Sequence, residues 1–79
     1  MSSITRKKNR KHVFEKIKVL VEDEFNTIIS TEEIKIGFFC ENEFQISEFE
    51  LLLENEFGKQ FILENDFQIG QILDVLCRY

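Results

Sequence analysis

Proline and tryptophan are missing from this 79-residue chain, glycine occurs three times, cysteine twice and histidine once. Gly37, Gly58 and Gly70 stand apart, which excludes the glycine-rich loop whose backbone amides cradle a phosphate. Cys40 and Cys77 form no CxxC or Cys/His spacing, so no zinc site is expected. With no secretory leader in view, two such thiols point to a reducing setting, the cytoplasm or an organelle interior. His12 has no Ser/Asp or Cys partner pattern around it, and acids on exposed helix faces have no reason to acquire perturbed pKa values. The chain is therefore expected not to be an enzyme. Its longest apolar runs, residues 36–40 and Leu51-Leu52-Leu53, fall far short of the roughly 20 residues a membrane span needs.

What is present is apolar surface and acid. Hydrophobic residues make up 43% of the sequence and nine are Phe, enough to build one core rather than a disordered tail. The net charge of -5 conceals a split. Residues 1–12 hold Arg6, Lys7, Lys8, Arg10 and Lys11 and no acid, leaving five bases against fifteen acids, a net -10, in residues 13–79. A body of that charge repels nucleic acid and steers toward basic protein surfaces. The sequence thus divides into a basic flexible tail, 1–12, and a single helical domain, 13–79. The tail lacks the apolar face that a transit helix or a membrane-surface helix requires.

Helical periodicity dominates the domain. Phe14, Ile17, Val21 and Phe25 recur at steps of three and four, with Val13 and Leu20 widening the stripe, and predict a helix of about a dozen residues. The alternation Ile17, Val19, Val21 would suit a strand, but Leu20 breaks it and no Gly or Pro bounds the run. Residues 26–42 form a long connection, in which Ser30-Thr31-Glu32-Glu33 can start a short helical turn and Ile34, Ile36 and Phe38 serve as apolar pegs. A second helix is expected over residues 44–57, ended by Gly58 in the left-handed conformation. Glu64-Asn65-Asp66 is expected to cap a last helix carrying Ile69, Ile72, Leu73 and Leu76. The fold class is all-α, a small three- or four-helix bundle.

Two stretches are similar to a known family. Leu53-Glu54-Asn55-Glu56-Phe57-Gly58 resembles the end of helix II of acyl carrier proteins, and residues 68–76, QIGQILDVL, are similar to the family's last helix. The resemblance covers residues 13–79 and implies a carrier-like bundle that meets its enzymes through helix II. Counting back from Leu53 puts Asn42, Glu43 and Phe44 where the family has Asp-Ser-Leu. That serine carries 4'-phosphopantetheine through a phosphodiester, which the Glu43 carboxylate cannot form. No prosthetic group is then expected; Ser47, one turn later, is the alternative acceptor if the alignment shifts, but reads first as a small residue at a helix approach. Cys40 is the other nucleophile in this stretch, with no activating base or cation in sequence.

The resemblance further implies partner docking through Glu41, Glu43, Glu48, Glu54 and Glu56, since carriers present helix II acids to Arg and Lys on enzymes. The function so implied is a small acidic binding protein in fatty acid or polyketide-type acyl metabolism, a monomer when alone, with a basic protein as partner and no nucleic acid. Two alternatives stand beside it: a working carrier modified at another residue, and an unrelated acidic interaction or inhibitor module that acts through charge.

Overall fold

The computed structural model describes residues 2–77, with side chains described within residues 10–77. Three α-helices make a small all-α bundle: α1 (Ser2–Phe25), α2 (Glu43–Phe57) and α3 (Ile69–Leu76), with a 3-10 turn at Ile36–Phe38 in the first connection. The first helix starts eleven residues before the expected Val13, so the boundary at residue 12 falls inside α1. Lys and Arg are good helix formers, and nothing in residues 2–12 breaks a helix; periodicity missed this half because it has no apolar face to repeat. Arg10 is anchored rather than part of a free tail. Its Nε and Nη2 donate to Glu32 at 3.1 and 2.7 Å, and its Nη1 to Asp74 at 3.0 Å. Asn26, at φ 54°, ends the helix in the left-handed conformation that Asn tolerates, its N–H reaching the Glu22 carbonyl at 3.0 Å.

The second helix begins where its cap dictates. Asn42 Oδ1 accepts the Gln45 N–H at 2.9 Å, and Gly58, at φ 71°, closes the far end with its N–H on the Glu54 carbonyl. The last helix is not capped by Glu64-Asn65-Asp66 as expected. Those residues form a turn closed by Phe67 N–H on the Glu64 carbonyl, and the Gln71 side chain accepts the Gln68 N–H at 2.8 Å to start α3 at Ile69. The turn wins because its backbone is claimed by another segment: Gly37 N–H donates to the Asn65 carbonyl at 2.8 Å.

That bond belongs to a clasp between the two long connections. Ile36 donates to Phe67, Ile69 to Ile34 and Gly70 to Glu32, at 2.8 to 3.0 Å, around a single antiparallel bridge between Lys35 and Gln68. The helical turn expected at 30–33 is a plain turn, with Thr31 Oγ1 accepting the Glu33 N–H, and the 3-10 turn lies further on. Of the three apolar pegs, Ile36 is fully buried and Ile34 half-buried, while Phe38 is 65% exposed. Phe39 takes its place in the core, because the 3-10 turn rotates successive side chains in a way that alternation does not.

The core sits among all three helices and the clasp. Ile17 and Val21 of α1, Phe49 and Leu53 of α2, and Ile69, Ile72 and Leu73 of α3 are buried, joined by Ile29, Ile36 and Phe39 from the first connection. At its centre the rings of Phe25, Phe39 and Phe49 meet in pairs with centroids 5.2–6.0 Å apart, two of the three pairs edge to face.

Candidate docking face on helix α2

Helix α2 buries one side and leaves the opposite side to solvent. Phe49 and Leu53 point into the core, with Ile46 and Phe57 half-buried beside them. Around the helix, Phe44 and Leu51 stand two turns apart on the far side, 77% and 60% exposed, with Ser47 between them. They are the two large apolar side chains that α2 leaves exposed.

The five acids singled out from the sequence do not form one cluster. Glu43 is the first residue of α2, exposed, directly after the Asn42 cap, where its charge complements the positive end of the helix. Glu43 and Glu54 lie on the same side of the helix as Ser47, and Glu48 lies across the apolar pair from them. Glu56 is turned toward α1, its carboxylate 3.3 Å from Lys16 Nζ. Glu41 precedes the helix, its N–H donating to Gln45 Oε1 at 2.6 Å.

Ser47 is not at a helix approach. It is exposed and lines two adjoining open clefts between α2 and the following segment. One, of about 480 Å³, is bordered by Glu43, Glu50, Leu63 and Glu64; the other, of about 260 Å³, by Leu51, Glu54, Gln60 and Phe61. Glu50, which sequence reasoning passed over, organises both. Its Oε2 accepts the Leu63 N–H at 2.7 Å and holds the segment after α2 against the helix. The signal was there in the spacing, since Glu43, Ser47, Glu50 and Glu54 follow the 3.6-residue period, as do Phe44 and Leu51.

Cys40 is buried, and its Sγ donates to the Gln45 carbonyl at 3.6 Å. Burial first, and then the charge of Glu48, push its pKa from the ordinary 9.0 up to about 11. At neutral pH it is a protonated, inaccessible thiol, unsuited to holding an acyl group. Burial likewise raises the pKa of the half-buried Cys77. Among the described residues no three His, Cys, Asp or Glu side chains are grouped to hold a metal ion, and no helix is long and apolar enough to cross a membrane. Comparison with protein-family models, with curated proteins and with solved structures gave no match to the chain.

Proposed function

We propose that this chain is an acyl-carrier-like binding module of acyl metabolism that docks the exposed face of α2 on a basic protein surface and carries no phosphopantetheine. The observation that carries the reading is the pair Phe44 and Leu51, exposed on a helix whose solvent side holds Glu43, Glu48 and Glu54 and no base. Covering each apolar side chain contributes about 1.5–3 kcal/mol at most, which supplies affinity. The acids supply orientation and encounter rate toward Arg and Lys.

The start of α2 supports the likeness to carriers. Asn42 caps the helix and Glu43 is its first residue, the local positions that the resemblance gives to Asp and the modified Ser. A carboxylate there leaves the docking helix intact and removes the attachment chemistry. The role that remains is binding, not cargo transfer.

The test restores the missing motif. Wild-type protein incubated with coenzyme A and a broad-specificity phosphopantetheinyl transferase should keep its mass. The Asn42→Asp/Glu43→Ser variant should gain one phosphopantetheine arm, mapped to position 43. Adding Glu48→Lys and Glu54→Lys should slow that gain at least tenfold, because the transferase must dock on the same helix face. A folded double variant that stays unmodified, or a rate indifferent to both charge reversals, would remove the proposal.

A further inference from the structure

One flank of α2 is the wall of a groove. Glu43, Ser47, Glu50 and Glu54 follow one another at steps of four, three and four, which sets them in a line along the helix. The opposite wall is the segment after α2, whose Gln60, Phe61, Leu63 and Glu64 border the two adjoining clefts of about 480 and 260 Å³ that share Ser47 and Glu50. Carboxylates border these clefts at Glu43, Glu50, Glu54 and Glu64, and no Lys or Arg borders either.

The second wall has the pattern of a strand without a partner. Phe61 is half-buried, Ile62 90% exposed and Leu63 buried, the alternation of an extended chain. Glu50 takes the Leu63 N–H at 2.7 Å. Residues two apart in an extended run direct their backbone groups the same way, so Phe61 offers its N–H and C=O on that same side. Among the described residues, the backbone groups of Gln60, Phe61 and Ile62 make no hydrogen bond within the protein. Unpaired main-chain groups in an extended run are a template for another chain.

We propose that this groove receives an extended, cationic segment of a partner protein, paired through its main chain with Phe61 and through Lys or Arg side chains with Glu43, Glu54 and Glu64. Main-chain bonds hold such a segment, and its alternating side chains select it. From Glu43 to Glu54 the helix rises about 16 Å, so about five residues of extended chain span the groove. The partner's charge follows from the carboxylates on both walls. A second copy of this chain does not suit the groove, since it would bring carboxylate against carboxylate, and residues 13–79 carry a net charge of -10. A helical partner would leave the Phe61 groups unpaired. The segment's binding rests on the docking role proposed for α2 and adds the partner's shape to it; a role in acyl metabolism is not required.

Fluorescence anisotropy of a labelled, end-capped peptide of about eight residues alternating Lys and Val, titrated with the full chain, tests this. Wild type should bind at low salt and more weakly as salt rises. The same peptide with its amides N-methylated keeps its charge and loses its main-chain donors, and should bind at least about tenfold more weakly. Ser47→Arg puts a long cationic side chain into the groove from an exposed helix position, and should weaken binding at least about tenfold while circular dichroism stays native. In amide NMR spectra of wild type, the Gln60, Phe61 and Ile62 signals should shift as peptide binds. No binding at millimolar peptide and low salt would overturn the proposal, as would binding indifferent to Ser47→Arg or to N-methylation. A wild type that sediments as a dimer and binds no peptide would assign the groove to a second copy instead. Peptide binding with no phosphopantetheine gain by the Asn42→Asp/Glu43→Ser variant would remove the acyl-carrier role alone, and the reverse pair of results would remove the groove alone.

Discussion

Replacing Phe49 by Leu tests whether the aromatic centre of the core holds this small domain together. Phe49 is fully buried, and its ring meets Phe25 at 6.0 Å and Phe39 at 5.2 Å, both edge to face. Each such pair contributes about 0.5–1.5 kcal/mol beyond area burial, so losing both costs about 1–3 kcal/mol. The smaller side chain leaves a void on the order of 25 Å³, which adds about 0.6 kcal/mol at the usual cost per unit of cavity volume. The sum is about 1.6–3.6 kcal/mol, against a total stability of about 4–12 kcal/mol for a chain of this length. The unfolding entropy of such a chain is about 0.17 kcal/mol/K, so Tm should fall by about 9–21 °C. Phe44→Leu, at a site 77% exposed, should shift Tm by less than about 3 °C. Thermal unfolding followed by circular dichroism measures both. If Phe49→Leu melts within about 4 °C of wild type, or no lower than Phe44→Leu, the aromatic trio does not organise the core.

The remaining predictions concern the clasp, the Arg10 anchor and the buried thiol. At Gly37 an added Cβ would lie 2.9 Å from the Asn65 carbonyl oxygen, a backbone atom held by the clasp, so Gly37→Ala should destabilise by about 1–3 kcal/mol in urea unfolding. Gly70→Ala would press at 3.3 Å on the Glu32 carboxylate that Arg10 holds, offsetting about 1 kcal/mol of gained helix preference, so it should be close to neutral. Arg10→Ala should cost about 1–2 kcal/mol and less in high salt; Arg10→Lys should not restore it, because the two-pronged contact with Glu32 needs a guanidinium. Hydrogen bonding to Glu32 foremost raises the Arg10 pKa, so this contribution should be unchanged through neutral and mildly alkaline pH. Native Cys40 should resist maleimide at neutral pH until the chain unfolds. Its folded pKa lies above the unfolded value, so the folded state holds its proton longer. Stability from this group is full below about pH 9 and declines as pH rises toward 11, which denaturant midpoints measured across that range should show and Cys40→Ala should abolish.

Much of the helical framework was legible in the sequence because it rests on local signals. Phe49 and Leu53 recur at helical spacing, Gly58 supplies the left-handed cap, and Ile69, Ile72 and Leu73 mark α3. What was not legible depends on contacts between distant segments. The start of α1 carries no apolar stripe, and Arg10 reaches partners 22 and 64 residues away, which no window of sequence displays. The cap expected at Glu64-Asn65-Asp66 gave way to a turn held by the clasp for the same reason. In the candidate site, the acids were visible as residues but not as an arrangement. Glu56 turns to Lys16 and Glu50 holds Leu63, so the helix face is defined by Phe44 and Leu51, which lie opposite the buried stripe of Phe49 and Leu53.

The clasp has a kinetic consequence. It joins two segments about 30 residues apart, and closing a loop of that length costs about 3 kcal/mol before any of its bonds is made. Helix α2 lies inside that loop with both ends capped, so it can form early and shorten the search, while Ile36 and Ile69 become buried only when the loop shuts. The rate-limiting event in folding is then the meeting of the two connections rather than the winding of any helix, and this chain should fold more slowly than an up-and-down bundle of equal size. In the native protein the amides of Ile36, Gly37, Ile69 and Gly70 should be the last to exchange with solvent deuterium, later than those along the outer face of α2, because opening them requires the global transition.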